Sequence, residues 1–223
     1  MSVRFVELSH RIDPGMTTYP GLPGPVVSDF LARDASAARY APGTTFQIGR
    51  VDLVANTGTY VDAPFHRYAG GVDVAGLPLE RLADVEGVLV DATAAGRAVE
   101  AAVFAALDLS GRAVLVRTDW SRHWGTPAYG EGSPFLTRDA AEALVAARPA
   151  LVGIDSLNID DTRDGARPVH SALLAAGIPI LEHLRALDAL PPSGFRLHAV
   201  PPPFRGLGSF PARVYAILAA DAR

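Results

Sequence analysis

The 223-residue sequence predicts one mixed α/β domain covering residues 1–223. Three observations predict it. Short apolar runs recur along the chain, helical patterns lie between them, and the two alternate only in the second half, which argues against a doubly wound sheet. The composition, 49% hydrophobic and 20% charged, is that of a globule large enough to bury its own core.

In chain order, strands are expected at Phe5–Leu8 and Phe46–Val54, then a helical pattern at Leu77–Leu82 and a strand at Gly87–Val90. A helical pattern at Val99–Ala106 precedes a strand at Ala113–Arg117. A helix over Thr137–Ala147 has Thr137 as N-cap and Asp139 and Glu142 in its early turns, where carboxylates favour the positive end of the helix. A strand at Ala150–Ile154 and a helix at Ser171–Ala176, stopped by Gly177, come next. Strands at Ile178–Leu181, Phe195–Val200 and Arg213–Leu218 complete the set. Several of these runs are β-branched and short, as buried strands are. Three Pro- and Gly-bearing stretches, Asp13–Pro25, Trp120–Pro134 and Pro191–Pro211, read as loops able to carry a site.

The formal net charge of −4 gives no electrostatic reason to bind nucleic acid or an anionic membrane. No apolar run approaches the roughly 18 residues of a membrane span, and the first residues lack the apolar stretch of a secretory leader, so a cytoplasmic protein is expected. There is no cysteine, which excludes disulfides, thiolate metal sites and a cysteine nucleophile. All 20 basic residues are arginine, which excludes a Schiff-base lysine. Any metal must be held by His, Asp or Glu.

Two stretches carry candidate chemistry. In VANTGTYVDAPFH (residues 54–66), Gly58 permits a tight turn, and Asp62 and His66 lie on either side of Pro64. In HSALLAAGIPILEHL (residues 170–184), His170 starts a helix and Glu182 ends an apolar β-run. A carboxylate there is costly unless it is paired or bound to an ion. One imidazole and two carboxylates suit a single divalent ion such as Zn or Mn, with positions open for water and a small-molecule substrate. His183 directly follows Glu182 and would face the opposite side of a strand, so it is not counted as a ligand. Tyr19, Phe65, Trp120 and Trp124 are candidates to line a pocket for a flat ring. Asp155, Asp160 and Asp161 read as a solvated acidic turn.

Together the two stretches resemble the cyclase-like, metal-dependent hydrolase family that includes bacterial kynurenine formamidases and isatin hydrolases. Its signature, His-x-Gly-Thr-His-x-Asp-x-Pro-x-His, corresponds here to Asn56–His66, and its later His and Glu to His170 and Glu182. ELSHRIDPGMTTYPG, VLVRTDW, GIDSLNID and HAVPPPFRGLGSFPARVYA are similar to other family segments, so the resemblance spans nearly the whole chain. It implies a swivelling β/β/α-type domain with a mixed sheet, assembled as a homodimer or homotetramer, that hydrolyses a formamide, amide or lactam bond. In two-ion members the signature histidines and the Asp hold one ion, and the Asp, the later His and the Glu hold a second. Asn56 and Tyr60 replace both signature histidines here, leaving the first position with Asp62 alone. The resemblance thus implies a reduced site: Asp62, His170 and Glu182 as ligands, His66 as acid/base, Tyr60 as a catalytic hydrogen-bond donor and Asn56 as a substrate-orienting group. A metal-independent cyclase, dehydratase or isomerase, and a non-catalytic small-molecule-binding protein, are the alternatives.

Overall fold

A computed structural model describes residues 2–219. Its strands, in chain order, are β1 Val3–Glu7, β2 Val26–Leu31, β3 Ile48–Asp52, β4 Tyr60–Asp62, β5 Val85–Asp91, β6 Ala98–Val99 and β7 Ala113–Arg117, followed by β8 Phe135–Leu136, β9 Leu151–Ile154, β10 Ile180–Glu182, β11 Ser193–His198, β12 Ser209–Pro211 and β13 Tyr215–Ala219. The α-helices are α1 Arg33–Ser36, α2 Arg138–Ala147 and α3 Pro168–Ala175. Nine strands form one mixed sheet in the order β1-β13-β11-β5-β7-β9-β10-β4-β12. Its centre, β5-β7-β9-β10, is parallel, and the strands on both flanks run antiparallel. This is the expected mixed α/β architecture.

The parallel centre is buried on both faces, which is why its strands are nearly unbroken apolar runs in the sequence. Alternation along β7 sends Leu115 into one apolar cluster and Val114 and Val116 into another. The first cluster lies on the sheet face away from α2 and α3 and includes Val61, Leu181, Leu184 and Phe195. The second lies under α2 and α3, through Ala140, Ala141, Leu144, Val169, Leu173 and Leu174. Thr137 caps α2 as expected, its hydroxyl accepting from the Ala140 amide at 3.4 Å.

Three expectations change. Phe46–Val54 does not enter the main sheet: among the described residues β3 pairs only with β2, in a ribbon whose β3 residues are all exposed. The helical patterns at 77–82 and 99–106 fold as short 3₁₀ turns, Leu79–Arg81 and Ala101–Phe104. The Pro-rich 191–211 stretch is not only loop, because it supplies β12 to the sheet edge. Among the described residues, no helix is long and apolar enough to cross a membrane.

Candidate active site

Strand register builds the site. Tyr60 of β4 lies opposite Glu182 of β10 and Pro211 of β12, while Asp62 lies opposite Ile180 and Ser209. Directly opposed residues share a face. Val61 and Leu181 point into the first cluster, so Tyr60, Asp62, Glu182 and Ser209 point together toward the helix side. β4 then turns through Pro64 into a 3₁₀ segment, Pro64–His66, that carries His66 over the same face. There α3 brings His170, on its first turn, to the carboxyl end of β10. Sites in open α/β sheets sit at strand ends of this kind.

His170 Nε2 is 3.6 Å from Asp62 Oδ2 and 3.6 Å from Glu182 Oε1. Its other ring nitrogen is held by Asp160 Oδ2 at 2.6 Å. Asp160 also accepts from the Val169 and His170 amides at 2.7 and 3.0 Å, capping α3 from the preceding loop. The acidic stretch therefore corrects the reading from sequence. Asp160 and Asp155 are buried and accept hydrogen bonds, and Asp161 is paired with Arg97 and Arg163.

Asp62 is fully buried. Its Oδ1 accepts from the Ser209 hydroxyl, whereas Oδ2 has no hydrogen-bond partner among the described residues. Ser209 Oγ is also 2.9 Å from His66 Nδ1. Since the Ser209 proton goes to Asp62, that oxygen accepts from His66 Nδ1–H, leaving the His66 Nε2 lone pair free. The His66 side chain is 37% exposed, against 0% for Asp62. Tyr60 Oη donates to Glu182 Oε2 at 2.6 Å, and the Ile159 amide donates to Glu182 Oε1 at 2.7 Å.

Burial would lower the His170 pKa, but Glu182, Asp160 and Asp62 outweigh it and raise it to about 10. Burial pushes the Glu182 carboxyl up to about 7, with His170 opposing and Asp62 assisting. Burial, then the charges of Glu182 and Asp62, push the Tyr60 phenol well above its ordinary range, so it acts as a neutral donor; an Asn56 hydrogen bond pulls the other way. A cluster of this kind favours a positive charge among its carboxylates, supplied here by the His170 proton. Among the described residues, Asp62, His66 and His170 offer ligand atoms that all lie within 4.8 Å of one another.

A cavity of about 480 Å³ opens over this face, lined by Asn56, Tyr60, His66, His170 and Glu182 together with Tyr19, Leu22, Arg67, Asn158 and Arg167. Of the candidate pocket residues, Tyr19 and Asn56 line it, while Phe65, Trp120 and Trp124 do not. Trp120 donates to the Tyr129 carbonyl at 3.0 Å, and Trp124 stacks on His10 at 3.9 Å between ring centroids. His183 is buried behind Tyr60, with Nδ1 2.9 Å from Tyr129 Oη. Asp160 and Ser209 escape sequence reasoning. Asp160 meets its partner His170 ten residues away, and Ser209 meets Asp62 across a separation of 147 residues.

The cyclase family model, described as "Putative cyclase", matches residues 6–161, a span that holds Asp62 and His66. The chain is 29% identical over 209 residues to a kynurenine formamidase of Salinibacter ruber, covering 93% of this chain and 94% of that protein. A solved structure titled a potential metal-dependent hydrolase with cyclase activity superposes with a TM-score of 0.81 at 27% identity, covering 98% of this chain and 100% of the other. Isatin hydrolase A from Ralstonia solanacearum superposes with a TM-score of 0.80 at 25% identity, covering 97% and 92%. The chain is an enzyme and belongs to the cyclase family.

Proposed function

We propose that the enzyme hydrolyses a carbonyl C–N bond, a formamide, amide or lactam, of a small cyclic or aromatic substrate at a site for one divalent ion, Zn or Mn. The observation that carries this is the placement of His170 Nε2 at 3.6 Å from one oxygen of each of two buried carboxylates, one of which, Asp62 Oδ2, has no hydrogen-bond partner among the described residues. These spacings are too long for good hydrogen bonds and close to the roughly 3.4 Å that separates ligands around a tetrahedral ion with bonds near 2.1 Å. In this reading Asp62, His170 and Glu182 would hold the ion, and Asp160 fixes the ring nitrogen of His170 that faces away from it. An ion there would polarise the substrate carbonyl and make water acidic enough to ionise near neutral pH.

The chain's own groups do the rest. His66, with Nδ1 committed to Ser209, takes a proton at Nε2 as water attacks and returns it to the leaving nitrogen. Tyr60 keeps Glu182 in place through its hydroxyl, and Asn56 faces the substrate from the cavity wall beside Tyr19. The activities named for the Salinibacter and Ralstonia relatives support an amide-type substrate.

A second ligand set is favoured by the 4.8 Å grouping of Asp62, His66 and His170, in which His66 binds the ion instead of moving protons. Metal analysis of the purified protein separates the two. About one ion per chain is expected, lost in Asp62→Ala and His170→Ala and retained in His66→Ala, which would lose only turnover of aromatic formamides and lactams. Loss of the ion in His66→Ala would make His66 a ligand, and no ion after supplying Zn and Mn would sink the metal mechanism. We also propose that the enzyme assembles as a homodimer or homotetramer. The support is the β2-β3 ribbon, which leaves Val26, Val27, Phe30, Ile48 and Val51 exposed; light scattering on the eluted protein gives the mass.

A further inference from the structure

The cavity over the site is polarised. Its floor holds His170 and Glu182, with both Glu182 oxygens engaged. Its rim carries two guanidinium groups, Arg67 and Arg167. Most of the nearby charge is already neutralised, but these two are not. Asp161 is taken by Arg97 and Arg163 at 3.0 and 2.8 Å, and Asp160 by His170. Among the described residues neither Arg67 nor Arg167 has a carboxylate within ion-pair distance.

Both are nevertheless held in position. Arg67 Nε donates to Ser171 Oγ at 3.2 Å, and its guanidinium carbon lies 5.2 Å from the Tyr68 ring centroid. Arg167 Nη1 donates to the Asp161 carbonyl at 3.1 Å. Each is anchored through one nitrogen, which leaves the remaining N–H donors of both forks uncommitted. Arg167 also sits in the left-handed region at φ 47°, a conformation that a non-glycine residue rarely adopts and that concentrates at ligand sites. Ser171 ties the pair together, since its hydroxyl accepts from Arg67 and its amide donates to the Arg167 carbonyl at 2.9 Å.

We propose that Arg67 and Arg167 form a carboxylate-binding rim, so that the substrate is an amide bearing a negatively charged carboxylate away from the bond that is cut. A planar guanidinium fork matches a carboxylate in a bidentate way, and two forks lining one small cavity would fix which end of a substrate enters first. The scissile group then reaches the floor at His66 and His170 while the charge stays at the rim. This rests on the hydrolase reading above, and it adds the chemistry of the group being recognised.

The test reads binding without turnover, using two planar probes of the same shape: 4-carbamoylbenzoate, which carries one carboxylate, and the neutral terephthalamide. Calorimetry on the intact protein is expected to show the acid binding at least about tenfold tighter, as charged hydrogen bonds of ordinary strength require. Arg67→Gln with Arg167→Gln should abolish the difference by weakening only the acid, and each single variant should remove part of it. The preference should fall with added salt and survive dialysis against EDTA, which separates it from a carboxylate seated on an ion. Equal affinity for the two probes, no binding of the acid at millimolar concentration, equal weakening of both in the variants, or loss on chelation overturns the proposal. A surviving preference in a protein that cleaves no amide would instead sink the hydrolase reading and leave the rim standing.

Discussion

Asp160 shows how much one side chain decides here. Its carboxylate holds the His170 ring at 2.6 Å and accepts two backbone amides, so it fixes both the rotamer and the protonated nitrogen of the central imidazole. Asp160→Asn should keep the fold, since an amide oxygen can still accept from α3. It should loosen the ring and weaken metal binding by about 10- to 100-fold, the usual cost of losing such a partner. Competition against a chelator, beside an unchanged circular dichroism spectrum, checks this; unaltered metal affinity would make Asp160 a helix cap only. Asp62, His66, His170 and Glu182 were legible because residue type and spacing in two short segments suffice to nominate them. Asp160 was not legible, because which of three nearby aspartates reaches the His170 ring is decided by packing. Arg97 and Arg163 neutralise Asp161 at the surface and leave Asp160 to the interior.

At the scale of elements, the site depends on short strands that periodicity cannot reveal. β4 and β12 have three residues each, too few for an alternating pattern to stand out. Phe46–Val54, the stronger β signal beside the motif, forms the exposed ribbon instead. What places His66 is a close backbone approach. The Ala63 amide donates to the Gly208 carbonyl at 2.7 Å, and a Cβ on Gly208 would lie 2.4 Å from His66 Cα and 2.6 Å from its nitrogen. Those are backbone atoms, which cannot rotate away. Gly208→Ala should therefore push the His66 turn off the sheet edge, cost roughly 1–3 kcal/mol as overpacking does, and lower turnover more than metal content. Gly70→Ala, where an added Cβ meets nothing within 4 Å, is the control and should be near neutral. Urea unfolding and steady-state rates on the two variants decide it, and a Gly208→Ala protein matching its control would remove the close approach from the account.

At the scale of the whole molecule, the buried titratable groups pull stability in opposite directions with pH. His10 and His183 are held neutral: burial, then the charge of Arg185, lowers His10 from 6.5 to about 3, and burial, then His10, lowers His183 to about 3. In both, the unfolded chain takes up a proton that the folded one refuses, so each removes stability as pH falls below 6.5. Asp155 and Glu182 act the other way. Burial raises them to about 6 and about 7, so the folded chain keeps protons that the unfolded one has lost, and acidification through that window favours folding. In metal-free protein the two pairs nearly offset one another between pH 6 and pH 4.5, and the histidines win below it. His170, raised to about 10, adds stability below 6.5 that is lost as pH rises toward 10. The wild type should thus be level from pH 6 to 4.5 and fall on further acidification. His10→Phe keeps a ring on Trp124 but removes one of the opposing protons, so its stability should rise over the level window by at most about 1.4 kcal/mol per pH unit, and by less to the extent that the half-buried ring is already hydrated. Urea midpoints of both proteins in EDTA across this range make the comparison. Parallel profiles would mean that His10 titrates normally in the fold, and the acid loss would then belong to His183 and to the aspartates held low by their hydrogen bonds.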